Sequence, residues 1–354
     1  MTAQTTAAPV KEPEKPAAEE RRWWRVDSTD GLWRNLALVG VLAILIIAGI
    51  VTKPDLYSDG TWVRNNIFTI LELASVIGVV TVGMTFVIIG GGIDLSVGAI
   101  IALAGVWSTT LATQDYGPGG MIFCALAVGI GVGVVNGILI SYGRLVAFIA
   151  TLAMLVAARG LAAQISNKQT QVSTSDFING LAANDFLGVP VLVYILAAVV
   201  AAGWVLLNRT TFGRRTVAVG GNPEAARLAG INVKRHTLLL YALSGLCCGI
   251  AAIMLTSQAN SAQAAMANLY ELDAIAAAII GGTLLSGGRG TIIGSLLGVL
   301  VFSTITNLFA INNLSTEVQN MVKGGIIVVA VLIQQIQFKS LSQFFAKNSK
   351  ITTS

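Results

Sequence analysis

Charge and histidine are what this chain has least of. Only 11% of its 354 residues are charged, and His236 is its single histidine. Soluble domains carry about 25% charged residues. That shortage, with 55% hydrophobic residues and a mean hydropathy of +0.77, excludes an ordinary soluble fold. One histidine leaves histidine-rich metal chemistry without ligands, and His236 is expected in a solvated basic loop. Cysteine is scarce too. Cys124, Cys247 and Cys248 lie in apolar segments and read as small core residues, not as disulfides or metal ligands. The chain has no Gly-x-x-x-x-Gly-Lys-[Ser/Thr] phosphate loop, no His-Glu-x-x-His and no Gly-x-Ser-x-Gly. It therefore holds no ATPase of its own, and nothing points to a membrane-embedded enzyme. The pI near 9.2 does not indicate nucleic acid, because the basic residues form no patch interleaved with aromatics.

What the chain has instead is apolar length. Runs long enough to cross about 30 Å of hydrocarbon recur along almost the whole sequence, so the fold class is an all-α polytopic membrane protein. Ten spans are expected, near residues 34–52, 67–89, 95–113, 119–140, 148–165, 189–207, 238–256, 273–285, 291–309 and 318–336. Residues 1–32 are rich in Ala, Pro, Glu and Thr. They read as a disordered tail ending in an interfacial anchor, Arg21-Arg22-Trp23-Trp24-Arg25, and not as a cleavable signal. The membrane-spanning body then runs over 33–338, with a cytoplasmic segment at 208–237, and 339–354 form a second tail. With the N-terminus inside, seventeen of the 22 Lys and Arg residues face the cytoplasm and only Lys53, Arg64 and Lys168 face outward. The positive-inside bias therefore places both termini in the cytoplasm.

The most informative stretch is Gly90-Gly91-Gly92-Ile93-Asp94-Leu95-Ser96-Val97-Gly98. A carboxylate at membrane depth is costly and normally faces protein or a water-filled path. Three glycines beside it favour a broken or closely packed helix. Asp94 has two open readings, a carboxylate capping the start of the third span or a group that contacts cargo. Ser96, and Asn136 in the fourth span, are further candidates for the path. Glu72, Arg159, Glu271 and Asp273 are the other polar groups near spans. Glu72 is expected to snorkel or pair with Arg64, Arg159 to pair with an acid near the outer side, and Glu271 and Asp273 to open a helix whose N-terminus favours acids. A second glycine-rich break, Gly281-Gly282 through Gly287-Gly288, echoes the first at an offset of 190, as internal transporter repeats do.

The inward segment carries its own helix. Asn222 is an N-cap, Pro223 stands at the first helical position, Glu224 favours the positive end, and Gly230 closes it. A seven-residue helix isolated between basic strips is too short to be stable alone, so a cytoplasmic partner is expected to hold it.

Taken together, several motifs resemble one family. They are Gly91-Gly92-Ile93-Asp94-Leu95-Ser96-Val97-Gly98, Phe148-Ile149-Ala150-Thr151-Leu152 with Arg159-Gly160, and Thr211-Phe212-Gly213-Arg214 with Gly220-Gly221-Asn222 and Ala225-Ala226-Arg227. Tyr241-Ala242-Leu243-Ser244-Gly245 and Tyr270-Glu271-Leu272-Asp273, running into Gly281-Gly282 and Gly287-Gly288-Arg289-Gly290-Thr291, complete the set. The chain resembles the permeases of the ribose/xylose/galactose-type bacterial ABC sugar importers. It departs from the pattern at Ala147, where relatives often carry proline. The resemblance implies a homodimer in the bacterial inner membrane that imports a monosaccharide or related polyol by alternating access. A cytoplasmic ABC ATPase would bind ATP and Mg, with no cofactor on this chain, and a sugar-binding protein would dock outside. It further implies that Gly221, Asn222, Pro223, Glu224, Ala225, Ala226, Arg227 and Leu228 form the coupling helix resting on the ATPase, and that the tail is dispensable. The rival class is an ion-coupled carrier using Asp94 and Glu72, which would need no motor-docking helix.

Overall fold

The structure, a computed structural model, describes residues 28–349, with side chains described over 31–332. The N-terminal tail and its Arg/Trp anchor lie outside the described residues. Fifteen helices are described. They are α1 (Ser28–Thr52), α2 (Pro54–Tyr57), α3 (Gly60–Ile89), α4 (Val97–Ser108), α5 (Leu111–Gln114), α6 (Gly117–Ser141), α7 (Ala147–Ile165), α8 (Asp176–Ala183), α9 (Val191–Arg209), α10 (Thr211–Gly221), α11 (Pro223–Leu228), α12 (Val233–Ala259), α13 (Tyr270–Ile280), α14 (Ile292–Ile311) and α15 (Thr316–Ser349). Four two-residue strands, β1 (Gln171–Val172), β2 (Asp185–Phe186), β3 (Val189–Pro190) and β4 (Ser261–Ala262), pair antiparallel as β1–β4 and β2–β3.

Seven of the described helices are long and apolar enough to cross a membrane: α1, α3, α6, α7, α9, α12 and α14. The other three expected spans fall on α4, α13 and α15. Two of these are shorter than expected. The run 95–113 is helical over Val97–Ser108 and again from Leu111, because the chain is still climbing back from the break after α3 when it reaches Ser96. The run 273–285 stops at Ile280, where Gly281 ends the helix. The long loop after α7 is not a plain connector, since α8 packs beneath it and β1 joins it to the loop after α12.

The centre is α3, whose residues from Ala74 to Ile89 are all buried. α12 lies against it and against α6, and the α6–α12 seam explains the glycines of both helices. Ala125, Gly129, Gly133 and Gly137 recur every four residues and share one face of α6. A methyl added at Gly129 would run into the Gly245 carbonyl, one at Gly133 into Tyr241, and one at Gly137 into Leu238. The partner residue number falls as the α6 number rises, so the helices are antiparallel. Lipid supplies no hydrophobic force between spans, so close backbone approach through small residues is what holds them.

Both breaks have one local design. After α3, the Gly90 N–H donates to the Phe86 carbonyl, Gly91 to Ile88 and Gly92 to Val87. After α13, Gly281 donates to Ala277, Gly282 to Ile279 and Thr283 to Ala278. Gly91 and Gly282 both sit at φ +85, the left-handed region that ends helices with these bonds. The structural repeat therefore runs at an offset of 191, which aligns Ile88-Ile89-Gly90-Gly91 with Ile279-Ile280-Gly281-Gly282. This corrects the offset of 190, which matched glycines one step out of register.

Gly245→Leu should destabilise the chain by about 1–3 kcal/mol or more through overpacking, read as a lower thermal midpoint. Gly131→Leu, on the open face of α6 with nothing within 4 Å, should leave it unchanged. Equal effects would refute the seam.

Candidate functional site

The two breaks meet, and a third glycine pair lies between them. The Gly288 N–H donates to the Ile89 carbonyl at 2.8 Å, across the ends of α3 and the loop after α13. A methyl on Gly220 would overlap the Ile89 carbonyl and the Gly288 amide. One on Gly287 would meet the Gly220 oxygen and the Gly91 Cα, and one on Gly288 would meet the Gly221 Cα. Only residues without a Cβ let three backbones approach so closely. Gly220 and Gly221 are the last residues of α10, so this junction ties both membrane breaks to the next element, α11. A cavity of about 420 Å³ opens beside it, bordered by Gly90, Gly92, Gly220, Pro223, Thr237 and Tyr241.

α11 is not isolated, as the sequence had suggested. Asn222 ends α10 and starts α11, its side-chain oxygen accepting from the Glu224 and Ala225 amides at 3.1 and 3.0 Å. The missing support comes from α10, which buries Gly213, Thr216 and Val219 along one face. Ala226 is buried, whereas Leu228 is 75% exposed. The Arg227 guanidinium donates to the Glu224 carboxylate on the exposed side. That contact holds the Glu224 carboxyl below its ordinary value, first by hydrogen bonding and then by charge. The pair therefore stays ionised at neutral pH and is lost only as pH falls through the lowered Glu224 value.

His236 is also not where it was expected. It is buried in the first turn of α12, its Nε2 2.9 Å from the Thr216 hydroxyl and its ring 4.7 Å from that of Phe212. α10 folds over it and turns a nominal loop residue into part of the joint. A helical reading of 211–221 would have revealed this.

Asp94 lies in the climbing segment between α3 and α4 and is wholly buried. One carboxylate oxygen accepts from the Ser96 amide at 3.0 Å and its hydroxyl at 2.6 Å, and the other accepts from the Ser244 hydroxyl of α12 at 3.0 Å. The Asn136 amide of α6 donates to the Ser96 hydroxyl at 2.8 Å. The Tyr241 hydroxyl donates to the Ile93 carbonyl at 3.2 Å. Asp94, Ser96 and Asn136 are thus brought together as one node that pins the broken segment to α6 and α12. Asp94 does not line the cavity beside the glycine junction.

The remaining candidates lie apart from it. Arg159 makes no described ion pair; its guanidinium donates to the Ala264 and Met266 carbonyls at 2.7 and 3.3 Å. Glu271 is buried at the start of α13 and approaches Gly98. The loop carbonyls, which no side-chain pattern announces, took the arginine. Glu72 is half-buried and does not pair with Arg64, which sits over the Phe68 ring at 5.5 Å. Asp273 pairs with Lys323 of α15 at 3.1 Å. Sequence reasoning missed that pair, because fifty residues separate its members.

Asp94→Asn turns an amide N–H₂ toward donors that need an acceptor, at a cost of about 1–3 kcal/mol. The thermal midpoint should fall, and adding Ser244→Ala should cost less than it does alone. An unchanged midpoint with lost transport would instead give Asp94 a direct part in the path.

The comparisons with known proteins follow this geometry. The family model described as "Branched-chain amino acid transport system / permease component" matches residues 66–331. The ribose import permease of Bacillus subtilis (strain 168) is 40% identical over 310 residues, 86% of this chain and 94% of that protein. The L-arabinose ABC transporter permease of Azospirillum brasilense is 35% identical over 86% of this chain and 89% of its own length. The galactofuranose transporter permease of Escherichia coli (strain K12) is 34% identical over 86% and 90%. No solved structure matches this chain. All the spans after α1, both breaks and the α10–α11 elbow fall within or overlap the matched region, and the chain belongs to this family of ABC sugar-importer permeases.

Proposed function

We propose that two copies of this chain form the membrane core of an importer that carries a monosaccharide or related polyol inward by alternating access. The relatives are named for ribose, L-arabinose and galactofuranose, and the cargo here belongs to that chemical class. The observation that carries the reading is the three-way glycine junction. A push on α11 is transmitted through Gly220 and Gly221 to the end of α3 and to the loop that opens α14.

The count of basic residues supports cytoplasmic termini, with α10, α11 and both breaks on the inner side. The coupling segment is then 208–237, and α11 is the element that meets the partner ATPase. ATP and Mg belong to that partner. This chain supplies the exposed Leu228 as an apolar knob and the Glu224–Arg227 pair as its polar rim. A sugar-binding protein docks on the outer loops, which are joined there by β1 and β4. Asp94, Ser96 and Asn136 hold the wall of the path, and Arg159, Glu271, Asp273 and Glu72 stand along its outer half. Within the complex the membrane chain needs only weak sugar contact, because a tight site would slow release.

Replacing Glu224 and Arg227 with alanine, together with Leu228→Ala, should lower sugar-stimulated ATP hydrolysis of the complex about ten-fold or more, with an unchanged thermal midpoint of the permease. Undiminished stimulation would refute α11 as the coupling element. Uptake abolished by a protonophore, with no ATPase co-purifying, would move the chain to the ion-coupled class.

A further inference from the structure

A second surface, remote from the junction, points to a ligand. α3, α9 and α14 enclose a groove of about 650 Å³ that opens to the side of the bundle. Its walls include Leu196, Ala197, Val200, Ala201 and Trp204, and its only polar side-chain atom is the indole nitrogen of Trp204. It follows α9 from Val193 to Val205, about 18 Å at helical rise. As α9 spans Val191–Arg209, the groove starts near its outer end and runs past the midplane, so that its inner part lies within the cytoplasmic leaflet of a core about 30 Å thick.

The cytoplasmic end of the groove is cationic. The Arg209 guanidinium lies over the Trp204 ring at 5.4 Å. Arg209 is exposed and has no carboxylate partner among the described residues. Arg214 and Arg215 follow on α10, both exposed. The inner part of this apolar slot, ending at an indole and at a guanidinium with no carboxylate partner among the described residues, is complementary to one molecule in this setting. It matches an acyl chain attached to an anionic headgroup.

We infer that the α3–α9–α14 groove is a binding site for an anionic phospholipid of the inner leaflet, with one acyl chain along α9 and its phosphate on Arg209. Because α9 leads directly into α10, such a lipid braces the elbow that carries α11. The inference takes its orientation from the importer reading, but its test does not depend on transport.

The test is native mass spectrometry of the purified chain in detergent with added dioleoylphosphatidylglycerol or dioleoylphosphatidylcholine. Phosphatidylglycerol should be retained about ten-fold over phosphatidylcholine. Arg209→Gln should bring the two near parity, and Ala201→Trp, which fills the groove from its open side, should lose both. Equal retention by the natural chain would overturn the inference, as would a preference that survives Arg209→Gln. Displacement of phosphatidylglycerol by millimolar inorganic phosphate would point to a free-anion site and also overturn it. So would an efficient disulfide between copies carrying Ala197→Cys in a background without the native cysteines, because a second copy would then occupy the groove.

Discussion

The hydrogen bond from the Gly288 amide to the Ile89 carbonyl is the contact on which the junction of the two helix breaks depends. A helix that stops inside a membrane strands carbonyls and amides with no water to accept them, at a cost of several kcal/mol per group. Here the break after α3 and the loop after α13 satisfy part of that demand in each other. The bond forms only because Gly91, Gly220, Gly287 and Gly288 present bare backbone to one another. Packing this close also removes freedom, so the end of α10 has no room to slide independently of either break. In the proposed mechanism a small displacement of α11 becomes a displacement of α3 and α14 together, as a motor outside the membrane would require.

Beyond the junction the problem changes from stranded backbone to buried charge. Asp94 is tolerated because both carboxylate oxygens meet hydroxyl or amide donors, one of them on α12. The price of burying that carboxylate yields a fixed start for α4 and a tie between α4, α6 and α12. Away from the junction, Arg159 satisfies loop carbonyls and Lys323 joins Asp273. A buried pair of that kind adds little net stability on average, but it fixes the register of α15 against α13. The small-residue seam of α6 and α12 supplies the cohesion that these polar contacts do not.

Much of this was legible in the residues. Apolar run length placed ten helices, because lipid makes the hydrophobic signal nearly one-dimensional. The caps of α11 were readable because Asn-Pro-Glu and Gly230 specify helix ends locally. Three things were not. The echo between the breaks was read one residue out of register, since glycine identity carries no information about φ, whereas Gly91 and Gly282 align only by their conformation. α10 was missed because its apolar face is small, made of Gly213, Thr216 and Val219, so His236 was left in an imagined loop. The partners of Arg159 and Asp273 were set by long-range packing, and no local pattern distinguishes a carbonyl acceptor from a carboxylate.

The central claim, that the coupling elbow and the helix breaks move as one body, is tested most directly by distances between spin labels. Labels at Ala229, just past the end of α11, and at Arg289, both exposed, would be placed together on one copy of the assembled complex diluted with unlabelled copies, and a label at Ala229 alone would be placed on both copies. They would be compared between the nucleotide-free and vanadate-trapped states. The account predicts that the 229–289 distance within a copy stays constant to about 2 Å while the 229–229 distance between copies changes by more. If α11 moves away from Arg289 while the breaks stay still, the glycine junction is not the transmission.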